Sequence, residues 1–283
     1  MEGDRRDAAG ARERKYRDYG GSIHYRQRVA KILTEGGRAV GIGLEDGSEE
    51  RADIVISNAD GRKTIMDMLG GEFTDEHIGE WCSEPDDETN WAVHVFLGVD
   101  RDLSGEPSAL VQLLDEPVTI AGHTADSIEM QMFGFDRTMS PEGKGTIKVE
   151  LFSRYSYWKE LYQDRARYDE EKEKVSTAVI DILEKTHFPG IKRQVEVVDV
   201  PTLMTWEHFV GGTHGFMSAP SKEPSPTGML FGGRLNSTLP GLDDFYLVRT
   251  WATAAGALFL NAKSGRTVVR EICKRDGRKF TTR

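Results

Sequence analysis

Val40-Gly41-Ile42-Gly43-Leu44-Glu45-Asp46-Gly47 and, shortly after it, Ala52-Asp53-Ile54-Val55-Ile56-Ser57-Asn58-Ala59-Asp60 decide the fold class. Val40, Ile42 and Leu44 alternate with smaller residues, the period of a strand with one buried face. Asp46-Gly47 is a two-residue hairpin signal, because glycine reaches positive φ without a steric cost. Ile54-Val55-Ile56 is apolar on consecutive positions, which suits a strand buried on both faces of a parallel sheet. A β-meander feeding a parallel strand is a piece of an α/β layer.

Reading upstream, Val29 to Leu33 and Ser22 to Tyr25 have strand composition, and Glu35-Gly36-Gly37-Arg38 supplies a turn. Asp7 to Tyr19 has helical composition and stops at Gly20-Gly21, as a helix C-terminus does. Downstream, Ile65, Met66, Met68 and Leu69 mark a short amphipathic helix closed by Gly70-Gly71. Trp91–Val99, Ile128–Phe135 and Thr146–Phe152 read as strands, with a turn at Ser140-Pro141-Glu142-Gly143. Tyr168 to Lys185 carries the strongest helical period, with Tyr168, Val175, Ala178, Val179, Ile182 and Leu183 on one face; Phe188-Pro189-Gly190 ends it. Val195–Val200 is a further strand, followed by a Gly-, Pro- and Ser-rich loop from Gly211 to Gly233. Strand Phe245–Val248, a small-residue turn at Ala252–Ala257 and a helix with Val268, Val269 and Ile272 complete the chain.

Composition narrows the function classes. With 38% hydrophobic and 30% charged residues the 283-residue chain has enough apolar material for one large core or two smaller ones, so a disordered chain is excluded. A net charge of −10 repels a phosphate backbone, and the basic tail Lys274, Arg275, Arg278, Lys279 and Arg283 reads as complementing a helix C-terminus, so nucleic acid is not an expected partner. Cys82 and Cys273 match no disulfide or metal spacing, and no apolar stretch reads as a signal peptide or spanning helix; a cytoplasmic location is the expectation. Asn236-Ser237-Thr238 reads as a chance sequon.

No motif carries chemistry alone. Gly41-Ile42-Gly43 lies inside a strand and lacks the third glycine before a helix, so it is not a dinucleotide fingerprint. His208 and His214 read as ordinary loop histidines, and Trp91, Trp158, Trp206 and Trp251 as core before pocket.

Tyr19-Gly20-Gly21-Ser22-Ile23-His24-Tyr25, Val29-Ala30-Lys31-Ile32-Leu33, Gly37-Arg38-Ala39-Val40-Gly41 and Ala52 to Asp60 resemble, in order and spacing, phytoene desaturase and carotenoid isomerase-like flavoproteins. Tyr157-Trp158-Lys159-Glu160-Leu161-Tyr162, Phe188-Pro189-Gly190-Ile191, Val195-Glu196-Val197-Val198-Asp199 and Leu239-Pro240-Gly241-Leu242 continue the resemblance. It implies an α/β fold with α+β character: a partial FAD-binding layer (1–70 and 235–283: meander, parallel strand, C-terminal strand and helix) and a mixed-sheet substrate domain with helices (71–234). It also implies FAD as cofactor, held by Val29, Asn58, Trp251, Gly256, Ala257 and Leu258, and an apolar, isoprenoid-type substrate. No residue is assigned as acid or base, since the flavin carries that chemistry.

The sequence departs from the family pattern in two places. It contains no GxGxxG turn, so a longer parent chain or a partner polypeptide is expected to carry that segment. Where the family has glycine near the flavin, this chain has Arg249, Ala255 and Ala257. The alternative that departure raises is a non-catalytic apolar-ligand module that has lost flavin binding. Contact with a membrane surface is the remaining partner the resemblance admits.

Overall fold

The computed structural model describes residues 5–83, 91–215, 235–249, 251–252 and 258–281. The chain divides into two compact units. One comprises residues 1–25 and 90–205, the other 26–89 and 206–283.

The second unit contains the stretch that decides the fold. Strands β1 (Val29–Glu35), β2 (Arg38–Leu44) and β3 (Glu49–Arg51) form an antiparallel meander in that order. Gly47, at φ 87°, makes the β2–β3 turn, closed by Leu44 N–H donating to the Ser48 carbonyl at 2.8 Å. A Cβ on Gly41 would lie 2.2 Å from the Glu50 carbonyl oxygen. Gly41 is therefore a glycine because β3 crosses too closely for any side chain.

β4 (Val55–Ser57) pairs in parallel with β10 (Phe245–Leu247), Val55 opposite Phe245 and Ser57 opposite Leu247. The expected parallel strand is present, but only its Val55 and Ser57 face is buried; Ile56 is 47% exposed. A six-residue π-helix, Lys63–Met68, follows β4, and Gly70 and Gly71 end it at φ 66° and 73°. Helix α2 (Glu76–Trp81) starts at Asp75, whose carboxylate accepts the Ile78 N–H at 2.8 Å. Ile32, Val55, Ile65, Leu69, Leu239, Phe245, Leu247 and Trp251 belong to one buried cluster. Helix α6 spans Leu258–Arg275.

The first unit holds helix α1 (Arg5–Asp18) and a five-stranded sheet ordered β6-β7-β8-β5-β9. Its strands are β5 (Trp91–Val99), β6 (Ala109–Ile120), β7 (His123–Met132), β8 (Gly145–Phe152) and β9 (Val195–Asp199). Among the described residues every pairing in this sheet is antiparallel, where a mixed sheet was expected. Alternation splits the sheet cleanly. Val93, Val95, Leu97, Ile128, Met130, Met132, Ile147, Val149 and Leu151 pack on one face with helices α3 (Tyr155–Leu161) and α4 (Arg165–Lys185).

Helix α4 begins at Asp164, whose carboxylate accepts two backbone N–H groups, and Glu170 pairs with Lys174 at 2.7 Å as its spacing requires. Trp158 Nε1 donates to Ser153 Oγ at 2.8 Å, and Ser153 Oγ donates to the Ala121 carbonyl at 2.6 Å. Those two bonds tie the β6–β7 turn to α3.

Other departures from the sequence reading have local causes. Ser22–Tyr25 is not a strand; Arg26 follows it at φ 59°, breaking any extended run. β6 is a long edge strand although Pro117 argues against a strand, because an edge tolerates a missing N–H; the pairing slips between Leu113 and Val118 to pass it. Helix α5 (Leu203–Val210) fills the stretch between the expected strand Val195–Val200 and the loop from Gly211, so His208, read as a loop histidine, is helical, with its ring edge-on to Phe209. The loop from 216 to 233 and the turn from 253 to 257 lie outside the described residues. No helix among the described residues is long and apolar enough to cross a membrane.

Candidate functional site

In parallel strand pairs ligands collect at the carboxyl ends, where backbone groups point out of the sheet. β4 ends at Ser57 and β10 at Leu247, with Val248 N–H donating to the Ser57 carbonyl at 3.0 Å. This brings the Asn58–Asp60 turn and Val248–Arg249 to one end of the unit. Arg38, the first residue of β2, bridges Asp243 in parallel just before β10. β2 therefore runs in the same direction as β10, and Leu44 with its partner Val29 lies toward that same end.

The turn is held from several sides. Asp60 accepts from Thr213 Oγ1 at 2.9 Å, Thr213 N–H at 3.3 Å and Lys63 N–H at 3.0 Å. Ser57 and Thr64 share a buried hydroxyl hydrogen bond of 2.8 Å. A Cβ on Gly61 would lie 2.3–2.6 Å from three ring atoms of Trp251, so glycine at 61 is what allows the indole to seat there.

Of the residues the resemblance assigns to FAD, Val29 is half-buried and Asn58 exposed at this end. Trp251 is buried at 4% exposure against Gly61. Gly256 and Ala257 lie outside the described residues, as does the side chain of Leu258, the first residue of α6. Among the residues assigned to FAD, the exposed Asn58 and the half-buried Val29 are the described ones with surface at this end, while the strand ends Ser57 and Leu247 are buried.

Arg249 has φ 77°, the left-handed conformation that glycine adopts freely, and its N–H donates to Ser264 Oγ at 2.9 Å. Arg249→Gly should raise stability by about 1 kcal/mol, checked by urea unfolding, because a non-glycine residue pays roughly that for this conformation.

Two sets of charged side chains that sequence reasoning missed are each confined to one unit. In the second unit, Asp244 accepts from Arg38 Nε at 2.8 Å and Nη2 at 2.5 Å, and its other oxygen accepts from Arg275. All three line a cleft of about 690 Å³, together with Thr238, Leu242 and Tyr246. Arg275, read from sequence as a helix-dipole complement, thus also ties α6 to the entrance of β10.

In the first unit, β5 and β8 set His94 opposite Glu150 on the sheet face away from α3 and α4. His94 Nε2 lies 3.6 Å from Glu150 Oε1, and Lys148 Nζ lies 2.8 Å from Oε2. The His94 imidazole and the Lys148 ammonium together outweigh burial and hold the Glu150 carboxyl at about 2. Strand alternation marks these positions as one face, but nothing in the sequence pairs 94 with 150.

A carboxyl held below its ordinary value stabilises the fold above the unfolded value of 4.5 and loses that contribution as pH falls toward about 2. After allowance for solvent reaching the carboxylate, Glu150→Gln should cost roughly 1–2 kcal/mol near neutral pH. Urea unfolding of both proteins should show the gap shrinking steadily as pH falls from 4.5 toward 2. A constant gap would refute the coupling.

Burial pushes the Cys82 thiol up to about 11, so it is a packing residue. No metal-ligand cluster is present among the described residues.

No protein-family model matches the chain. The chloroplastic prolycopene isomerase of Daucus carota is 27% identical over 245 residues, which are 82% of this chain and 37% of that protein. The neurosporene-forming phytoene desaturase of Rhodobacter capsulatus is 26% identical over 203 residues, 65% of this chain and 37% of that protein. Among solved structures, an oxidoreductase from Methanosarcina mazei superposes with a TM-score of 0.58 at 19% identity, over 95% of this chain and 55% of that one, which establishes a shared fold. The chain spans little more than a third of the length of the curated relatives it matches. Across most of its own length, this chain is a homologue of prolycopene isomerase and phytoene desaturase.

Proposed function

We propose that this chain provides the substrate layer and one edge of the FAD layer of an oxidoreductase that desaturates or isomerises an apolar, isoprenoid-type compound. The single observation that carries the reading is the parallel β4–β10 pair, whose carboxyl ends bring Asn58 and Arg249 together beside Val29's end of the meander. The homology to an isomerase and a desaturase of polyenes supports the chemistry.

Flavin bound there supplies a hydride acceptor. The chain's own part is to orient and enclose. Val29 and Asn58 would border the nucleotide, the Asp60–Thr213 bonds hold the turn that carries Asn58, and Trp251 fixes the chain after β10. The pyrophosphate-binding GxGxxG segment, which residues 1–283 do not contain, comes in this reading from a longer parent chain or a partner polypeptide.

The test is flavin reconstitution. The purified chain is incubated with excess FAD, alone and together with a polypeptide carrying a GxGxxG segment encoded next to it. The expected result is stoichiometric flavin absorbance only for the combination. If no combination retains flavin after gel filtration, the oxidoreductase reading falls and the apolar-ligand module replaces it.

A further inference from the structure

The five-stranded sheet has one face filled by apolar side chains and a second face of mixed character. On that second face a cleft of about 170 Å³ lies across β6, β7 and β8. Its lining includes Ala109 and Val111 from β6, Glu129 and Gln131 from β7, and Lys148 and Glu150 from β8. The register sets them in two rows: Val111, Glu129 and Glu150 in one, Ala109, Gln131 and Lys148 in the other. His94 extends the first row beyond Glu150.

One part of this arrangement opposes folding. Glu129 stands directly across from Glu150, a like-charge pair that opposes strand pairing. The Lys148–Glu150 pair is sheltered, at 15% and 18% exposure, and holds its charges at the cleft wall because its attraction outweighs burial. Beside these charges the edge strand shows Val111 at 57% and Leu113 at 72% exposure on the same face. A polar pocket thus opens beside an exposed apolar strip, the pattern of a site for an amphipathic ligand.

We propose that this cleft receives the hydroxyl end of an isoprenoid-type alcohol whose apolar chain runs over Val111 and Leu113. The proposal rests on the oxidoreductase reading above and narrows its substrate class from hydrocarbon to alcohol. A hydroxyl both donates and accepts. Lys148 keeps N–H groups beyond the one given to Glu150, the Gln131 amide can do either, and the exposed Glu129 accepts. With Lys148 against Glu129 and Glu150 the cleft is negative by one charge, which disfavours a carboxylate end. A hydrocarbon end would cover the ion pair without replacing its water. At 170 Å³ the space takes a terminal hydroxyl and a few carbons, not a whole polyene.

The test uses a matched saturated C20 series, phytanol, phytane and phytanic acid, delivered from cyclodextrin to the full chain, with retained ligand measured after gel filtration. Phytanol should bind at least about tenfold more tightly than phytane, since a hydrogen bond to a charged partner is worth that much, and phytanic acid should bind more weakly than phytanol. In the double variant Lys148→Met/Glu150→Gln, phytanol affinity should fall to that of phytane. Val111→Trp, which fills the cleft and leaves the ion pair intact, should block phytanol even if the double variant unfolds.

Equal binding of phytanol and phytane overturns the hydroxyl site and leaves the oxidoreductase reading standing. So does a phytanol preference that survives Val111→Trp. Failure of all three ligands to bind overturns both.

Discussion

Trp158→Ala is expected to remove about 4 kcal/mol of stability, the upper range for deleting a fully buried aromatic side chain. Trp158 has no exposed surface, sits edge-on to Tyr157 and Tyr168 with ring centroids 5.6 and 5.7 Å away, and donates to Ser153 Oγ. Alanine leaves a cavity and deprives Ser153 of its donor, loosening the residue that holds the Ala121 carbonyl. Ala121 has φ 52°, and a Cβ on the neighbouring Gly122 would lie 2.9 Å from the Tyr157 ring, so the β6–β7 turn depends on α3 for its shape. The check is urea unfolding followed by circular dichroism, with Trp158→Phe as companion. Phenylalanine keeps most of the volume and loses the N–H, so it should cost about 1–2 kcal/mol. A similar cost for both variants would mean that the hydrogen bond, not the packing, dominates.

Gly61→Ala is the second large effect, expected to cost about 2–3 kcal/mol because the added methyl enters a packed interior. Its Cβ would stand 2.3 Å from Trp251 Cδ2, well inside contact distance, with Cγ and Cε3 at 2.5 and 2.6 Å. Trp251 is buried in the second unit's core, so the rigid indole has to swing out or the turn after β4 has to shift. The expected signature is a red-shifted tryptophan emission with a lower unfolding midpoint. Gly61→Ala/Trp251→Leu should recover part of the loss, since leucine yields the space. Absence of any rescue would show that the methyl clashes with something other than the indole. Because this turn also presents Asn58, the variant should weaken flavin retention in the reconstituted complex beyond its effect on the midpoint.

Elements legible in the sequence differ from the rest by the range of the forces that make them. The β1–β3 meander, the Asp46-Gly47 turn, β4 and helix α4 were legible because their signals are local: period two, a glycine at positive φ, an apolar run, and an apolar stripe at helical spacing. β6 was illegible because Pro117 and the adjoining Asp115-Glu116 speak against a strand, and only its place at the sheet edge makes them harmless. Helices α2 and α5 are single short elements whose ends depend on neighbours as much as on their own residues.

The candidate sites divide in the same way. Asn58 and Trp251 could be named from resemblance, but that Trp251 spends its indole on Gly61 is a contact between residues 190 positions apart. The Arg38–Asp244–Arg275 bridge and the Glu129–Glu150–His94 row have no counterpart in sequence spacing at all.

By itself the sequence determined that this chain has α/β character, that Gly41-Ile42-Gly43 is not a nucleotide motif, and which flavoproteins it resembles. The first two rest on residues close enough along the chain for their backbone preferences and alternation to act together, and the resemblance on the order and spacing of matched stretches. Only the tertiary structure decided that β4 pairs with β10, that Arg249 occupies a glycine conformation, and that Lys148 and Glu150 meet Glu129 and Gln131 at the edge of an apolar strip. Those outcomes depend on which strands become neighbours, and strand order is set by burying apolar faces across the whole unit rather than by any local preference.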